Sequence, residues 1–331
     1  MIIINAYNVH SGGGKVLLEA LLKAIDSKCL LYCDTRLNIA TNSHITQVSV
    51  PPTIFRRIFA EFKLCRSSKT DDQIICFGNL PLLFPCRGKS YLFFQNMVLL
   101  KKNAYLKFPW KEKLKHQIER FWLHLGISAV EKVLVQSETV RQEFLCEFPF
   151  AKVSVVPFVE ELPPIPKIES KEFDFVYVSS GDPHKNHKRL FEAWQILASQ
   201  NIFPSLVVTV NDCHPQVLEQ VRVLQTQNIK LHNKPGLSHS QVLSLYGHAK
   251  ALIFPSLTES FGLPLIEADH AGIPIVASEL DYVRECVTPA ESFDPNSAKS
   301  IARAVKRFMK IQDKPQKIYS PKDFLEIALN K

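Results

Sequence analysis

No stretch of this chain is apolar for the roughly 18 residues that would cross a bilayer as a helix. No secretory leader is expected either, because Met1-Ile2-Ile3-Ile4-Asn5-Ala6-Tyr7 has no basic start and only a short apolar run. The expectation is a cytoplasmic protein. Paired-cysteine zinc spacings are also lacking. Of the eight cysteines, Cys29, Cys33, Cys76 and Cys213 sit in strand-like apolar runs, where reduced thiols are buried. His184 and His187 form an H-x2-H pair without a Cys or carboxylate at ligand spacing, so no metal is expected. Neither G-x-G-x-x-G nor a P-loop occurs, which speaks against a dinucleotide-dependent oxidoreductase or an ATP site. There is no internal repeat and no low-complexity tract.

What is present is a 331-residue chain, 46% hydrophobic and 22% charged, the balance of a globular protein. That length suits two cores better than one. Charge is shared unevenly: residues 1–165 carry a net +7 and residues 166–331 only +1, so an anionic partner is expected at the first half.

Strand-like runs at 2–6, 29–33, 73–77, 91–95, 132–136 and 153–156 alternate with helical stretches at 14–26, 111–125 and 138–147. Glu160-Glu161-Leu162-Pro163-Pro164-Ile165-Pro166 interrupts this, since proline lacks the N–H that a helix or a central strand requires. Alternation restarts with strands at 173–178, 205–210, 229–232 and 250–254 and helices at 187–200 and 215–227. The reading is an α/β protein of two doubly wound Rossmann-like domains, 1–162 and 173–331, joined by a linker at 163–172 and facing across a cleft. The last helix is expected to pack back on the first domain.

Two strand–loop–helix segments carry most of the chemistry. The first is Pro255-Ser256-Leu257-Thr258-Glu259-Ser260-Phe261-Gly262-Leu263-Pro264-Leu265-Ile266-Glu267, after the strand Ala251-Leu252-Ile253-Phe254. Glu259 falls in the loop and Glu267 a turn into the helix. Carboxylates accept paired hydrogen bonds from vicinal hydroxyls, so the two suit a sugar and a ribose. Standing alone, the segment equally allows a solvated Glu259 and a Glu267 that serves the helix dipole. The second is Tyr177-Val178-Ser179-Ser180-Gly181-Asp182-Pro183-His184-Lys185-Asn186-His187, where Lys185 offers a fixed cation. In the first half, Gly12-Gly13-Gly14 follows the opening strand, Gln95 and Asn96 end another, and Lys101 to Arg120 holds seven Lys and Arg among Tyr105, Phe108 and Trp110. Such a segment fits an anionic membrane interface or a plain solvated face.

The Glu-x7-Glu of Glu259 and Glu267, followed by Ala271-Gly272-Ile273-Pro274-Ile275-Val276-Ala277-Ser278, resembles the signature of family-4 retaining glycosyltransferases of the GT-B fold. The likeness covers most of 173–310 and is thinner in the first half. It implies that Glu259 and Lys185 are the catalytic pair, with Glu259 on hydroxyls of the transferred sugar and Lys185 on the donor diphosphate. Glu267 would hold the ribose, and Ser260, Phe261, Gly262 and Leu263 would border the donor, the last three through backbone N–H groups. Lys234 and Pro235 would lie beside the nucleobase, and Gly12, Gly13 and Gly14 beside the sugar and diphosphate. Ser180 stands where the family has a diphosphate-binding arginine; His184, Lys188, Arg189 or the Gly181 N–H are the candidates to replace it. Gln95 and Asn96 would face the acceptor where relatives place a histidine.

The resemblance thus implies a metal-independent, retaining transfer of a hexose-type sugar from a nucleoside diphosphate sugar to a glycan or lipid-linked glycan. O-antigen, capsule or lipopolysaccharide assembly is the setting, with residues 101–120 against the inner face of the plasma membrane. No cofactor beyond the co-substrate and no nucleic acid is expected. The alternative is a basic binding module for membrane or nucleic acid without transferase activity.

Overall fold

The computed structural model describes residues 1–10, 12–100, 108, 110–165, 168–313 and 317–329. Two parallel sheets organise them. The first takes strands β1 (Ile2–Ala6), β2 (Cys29–Asp34), β3 (Ile45–Val50), β4 (Gln73–Cys76), β5 (Lys89–Phe93), β6 (Lys132–Val135) and β7 (Val153–Val155) in the order β3-β2-β1-β4-β5-β6-β7. Helices α1 (Gly12–Lys23), α2 (Ile54–Ser67), α3 (Trp110–Gly126) and α4 (Glu138–Glu147) connect them. The second takes β8 (Phe173–Tyr177), β9 (Leu206–Val208), β10 (Leu231–Asn233), β11 (Ala249–Phe254), β12 (Ile275–Ser278) and β13 (Glu291–Phe293) in the order β10-β9-β8-β11-β12-β13. Around it run α5 (His187–Ser199), α6 (Pro215–Thr226), α7 (His239–His248), α8 (Leu263–His270), α9 (Asp281–Cys286) and α10 (Ala298–Phe308). A last helix, α11 (Pro321–Ala328), was expected over the first unit and leaves Phe324 and Ile327 exposed.

The central strands β1, β8 and β11 are rich in Ile, Leu, Val, Phe and Ala because helices cover both faces of a parallel sheet. β3 and α2 escape the sequence reading for a physical reason. β3 is an edge strand, Ile45-Thr46-Gln47-Val48-Ser49-Val50, whose middle residues face water, and α2 presents Ile54, Phe55, Phe59 and Phe62 outward instead of burying them.

In both sheets the order reverses beside the first strand, between β1 and β4 and between β8 and β11. The loops leaving the carboxyl ends of those strands diverge there and open a crevice. The two units meet near these crevices. The Ser137 hydroxyl at the start of α4 donates to the Ser260 carbonyl at 3.0 Å, and Leu263 packs against the core around α1. The Glu285 carboxylate of α9 accepts from the Glu138 and Thr139 amides at 2.8 and 2.9 Å, an anion seated on the positive end of α4.

Asn186 ties the second crevice together. Its backbone is left-handed, at φ 63°, and its buried amide donates to the carbonyls of Pro255 at 3.0 Å and Pro295 at 2.8 Å. Asn186→Ala removes both bonds and leaves at a left-handed position a residue that tolerates it less well than asparagine, a loss of about 2–4 kcal/mol. Thermal denaturation should show a clear drop for Ala and a smaller one for Gly, which relieves only the backbone; an unchanged melting temperature for Ala would remove Asn186 from this role.

Candidate active site

The β8 and β11 loops bring Lys185 and Glu259 together. The Lys185 ammonium donates to both oxygens of Glu259, at 2.7 and 2.8 Å, with side chains only 17% and 11% exposed. Each loop is held from below. The buried Tyr177 hydroxyl donates to the Lys185 carbonyl at 2.7 Å and touches the Ser256 hydroxyl, while the Tyr282 hydroxyl donates to the Ser256 carbonyl at 2.8 Å. The Leu257 amide donates to the His184 carbonyl, stitching one loop to the other. The Cys286 thiol donates to the Phe261 carbonyl at 2.7 Å. Burial pushes that thiol up to about 12, so it stays protonated and able to donate.

Gly262 initiates α8 at φ 79°, and a β-carbon there would lie 2.9 Å from Leu265, so only glycine fits. The amides of Phe261 and Gly262 have no hydrogen-bond partner among the described residues. They stand at the start of α8, where orphan N–H groups suit an anion. Glu267, one turn further on, is buried and does not join Lys185. Its carboxylate accepts from the Tyr246 hydroxyl at 2.9 Å and meets His239 Nε2 at 2.8 Å, both from α7. The hydrogen bond to Glu267 raises the His239 pKa above its ordinary value. Sequence reasoning missed His239 because it lies 28 residues from its partner; its only signal is its place at the start of a capped helix.

The structure revises several reasons attached to site residues. The Ser180 hydroxyl donates to Asp182 at 2.6 Å. Among the candidates to replace the arginine, His184 is half-buried with its pKa lowered, chiefly by desolvation, and Arg189 pairs with Glu192 at 2.6 Å. Gly181 is glycine because the His214 side chain packs against it, 2.4 Å from where a β-carbon would stand. Lys234 is not brought to the cluster: its ammonium lies 4.7 Å over the ring of Phe173, at the far end of β8. Pro235 is exposed beside Gly236, whose amide donates to Asn211. His187 is pushed down to about 3 by burial, and its Nε2 meets the Ser179 hydroxyl at 3.3 Å.

Across the cleft, Gly12 opens α1 at φ 66°, and nothing crowds Gly12 or Gly13. Gly14 faces the Gln95 side chain. A cavity of about 240 Å³ lies between Asn8, Gly14, Gly78, Gln95 and Asn96 at the carboxyl ends of β1, β4 and β5. Gln95 is fixed by its amide, which donates to Asn79 at 2.5 Å. The Asn96 side chain instead caps the following turn by accepting from the Val98 amide. Of the basic stretch 101–120, residues 101–107 and 109 lie outside the described residues, while 110–120 belong to α3.

Residues 158–321 match the family model of Glycosyl transferases group 1. The chain is 25% identical over 197 residues to the O-antigen chain mannosyltransferase RfbU of Salmonella typhimurium, covering 59% of this chain and 55% of that protein. It is 28% identical over 130 residues to the O-antigen chain mannosyltransferase B of Escherichia coli, covering 38% and 34%. The chain thus spans about half the length of the first relative and a third of the second. Among solved structures, sucrose-phosphate synthase from Thermosynechococcus elongatus superposes with a TM-score of 0.69 at 18% identity, covering 93% of this chain and 89% of that one. Anabaena HepE in complex with UDP and glucose gives 0.67 at 15% identity, covering 94% and 90%. These likenesses establish the fold as GT-B.

Because the folded-state pKa of His239 is raised, its pairing with Glu267 stabilises the protein fully below the ordinary histidine value and loses that contribution as pH rises through the raised one. His239→Gln should therefore lower the melting temperature more at about pH 6 than at about pH 8.5. An equal drop at both would show that the pair has no charge dependence.

Proposed function

We propose, from the match of residues 158–321 to the Glycosyl transferases group 1 model, that the protein transfers a hexose-type sugar, with retention and without a metal, from a nucleoside diphosphate sugar to a glycan or lipid-linked glycan. The observation that carries this reading is the Lys185–Glu259 pair at the carboxyl ends of β8 and β11, facing unpartnered amides at the start of α8. The relatives named O-antigen mannosyltransferases support mannose as the sugar and surface-polysaccharide assembly as the setting. They favour transfer over a bare binding module.

Lys185 and the Phe261, Gly262 and Leu263 amides take the donor diphosphate, whose charge grows as the nucleotide leaves. Glu259 holds hydroxyls of the transferred sugar, and Glu267, steadied by His239 and Tyr246, holds the ribose. Ser180, Gly181 and Ser260 border the same donor, and Gly12 to Gly14 close over the sugar from the other unit. The anomeric carbon–phosphate bond breaks, the acceptor oxygen bonds to the same face of that carbon, and a departing phosphate oxygen takes the acceptor proton. Gln95 needs only to position the hydroxyl, since it is not a base at neutral pH. Before donor binds, Glu259 neutralises Lys185, so neither charge stands alone in a poorly solvated crevice. Among the described residues no helix is long and apolar enough to cross a membrane; contact with the inner face of the plasma membrane would run through α3.

Lys185→Met and Glu259→Gln should each lower turnover by about 10²–10³-fold, and the double variant should lose little more because the two act as a unit. Transfer by the native protein should persist in EDTA. Substantial activity in both single variants, measured as nucleotide release, would contradict the assignment.

A further inference from the structure

The largest unassigned feature lies beside the acceptor cavity. α2 and α3 leave Phe55 and Phe59 on one helix and Trp110, Leu114, Ile118 and Phe121 on the other exposed, and large apolar side chains gathered at the surface mark interaction sites. Between the helices runs a groove of about 370 Å³, walled by Ile54, Leu80, Pro81, Leu114, Ile118 and Trp122. Lys111 and Lys115 line it together with Glu61 and Glu119, and Glu119 lies 3.8 Å from the Lys115 ammonium. Its floor is polar and incompletely paired. Tyr7 is 94% buried, and its hydroxyl has no partner among the described residues. The same holds for Arg57 Nε, although the rest of that guanidinium holds Asp34 at 2.8 Å and Asn8. A buried donor left unmade costs about 1–3 kcal/mol, which a ligand oxygen would recover. Asn8 and Gly78 line both this groove and the smaller cavity that holds Gln95, so the two are neighbours.

A free glycan or nucleotide has no apolar surface to match these walls, and a hydrocarbon alone has no use for the cations or the buried donors. We propose that the groove seats the hydrocarbon chain of a lipid-linked acceptor, a long-chain phosphate or diphosphate whose chain lies between α2 and α3. Its anionic group meets Lys111 and Lys115, an oxygen takes the Tyr7 hydroxyl and Arg57 Nε, and its sugar hydroxyls reach Gln95. The proposal rests on the acceptor reading given above and names the class of acceptor.

Monomeric farnesyl phosphate serves as the probe in titration calorimetry on the full chain. It should bind, while inorganic phosphate and farnesol bind far more weakly. Leu114→Glu and Ile118→Glu, both at exposed positions, should weaken it about tenfold or more and leave nucleoside diphosphate binding unchanged. Tyr7→Phe should also weaken it while leaving the melting temperature equal or higher, a combination that a purely structural tyrosine would not give. Farnesyl phosphate binding no tighter than phosphate, or unmoved by Leu114→Glu, overturns the proposal. So does binding to phosphatidylglycerol vesicles without affinity for the monomeric probe, which would make the face a bilayer-docking surface only. Loss of nucleoside diphosphate binding with the probe still bound would instead sink the donor-site reading and leave the groove standing.

Discussion

An ammonium closed on both oxygens of a carboxylate, at the one point where the second sheet reverses its strand order, is the constraint around which the C-terminal half is arranged. Lys185 follows β8 and Glu259 follows β11, and the two strands are neighbours only because the winding changes direction between them. Neither charge is well solvated, so the pair needs support from its surroundings. Tyr177, Tyr282, Asn186 and Cys286 supply it by bonding successive carbonyls of both loops. Those buried polar side chains are the structure's investment in two short loops, and they leave the amides at the start of α8 free to meet an anion.

Much of this was legible in the sequence because it is local. A run such as Ala251-Leu252-Ile253-Phe254 followed by Pro255 and Gly262 encodes strand, loop and helix start within a dozen residues, and Lys185 and Glu259 sit at fixed places in such units. What depends on distant partners was not legible. Glu267 reads as a cleft carboxylate, yet its orientation is set by His239 and Tyr246 across a helix interface. Gly181 reads as a backbone N–H that could replace the family arginine, and its lack of a side chain is explained instead by His214, which packs against it. Asn96 reads as an acceptor contact and serves as a turn cap, while its neighbour Gln95 does face the cavity.

The N-terminal half follows a different logic. Its sheet is as regular as the other, but α2 and α3 hold their apolar residues outward and its excess positive charge lies partly on those helices. A helix whose hydrophobic face is not buried forgoes most of its packing stabilisation, and in exchange the protein presents a surface that matches an amphiphile. The charge imbalance visible in composition and the exposed aromatics visible only in three dimensions are one feature. It separates the two halves by chemistry: a polar, hydrogen-bonded crevice in the C-terminal half, proposed for the donor, and a largely apolar groove in the N-terminal half, proposed for the acceptor.

The central claim, a preformed donor site in the C-terminal unit, is tested most directly by thermal denaturation against UDP, GDP, ADP, CMP and dTDP, each with and without EDTA. A ligand that binds only the folded protein raises its melting temperature. The account predicts that one nucleoside diphosphate stabilises the protein to the same extent in both conditions; a flat response to all five, or stabilisation that disappears with EDTA, would contradict it.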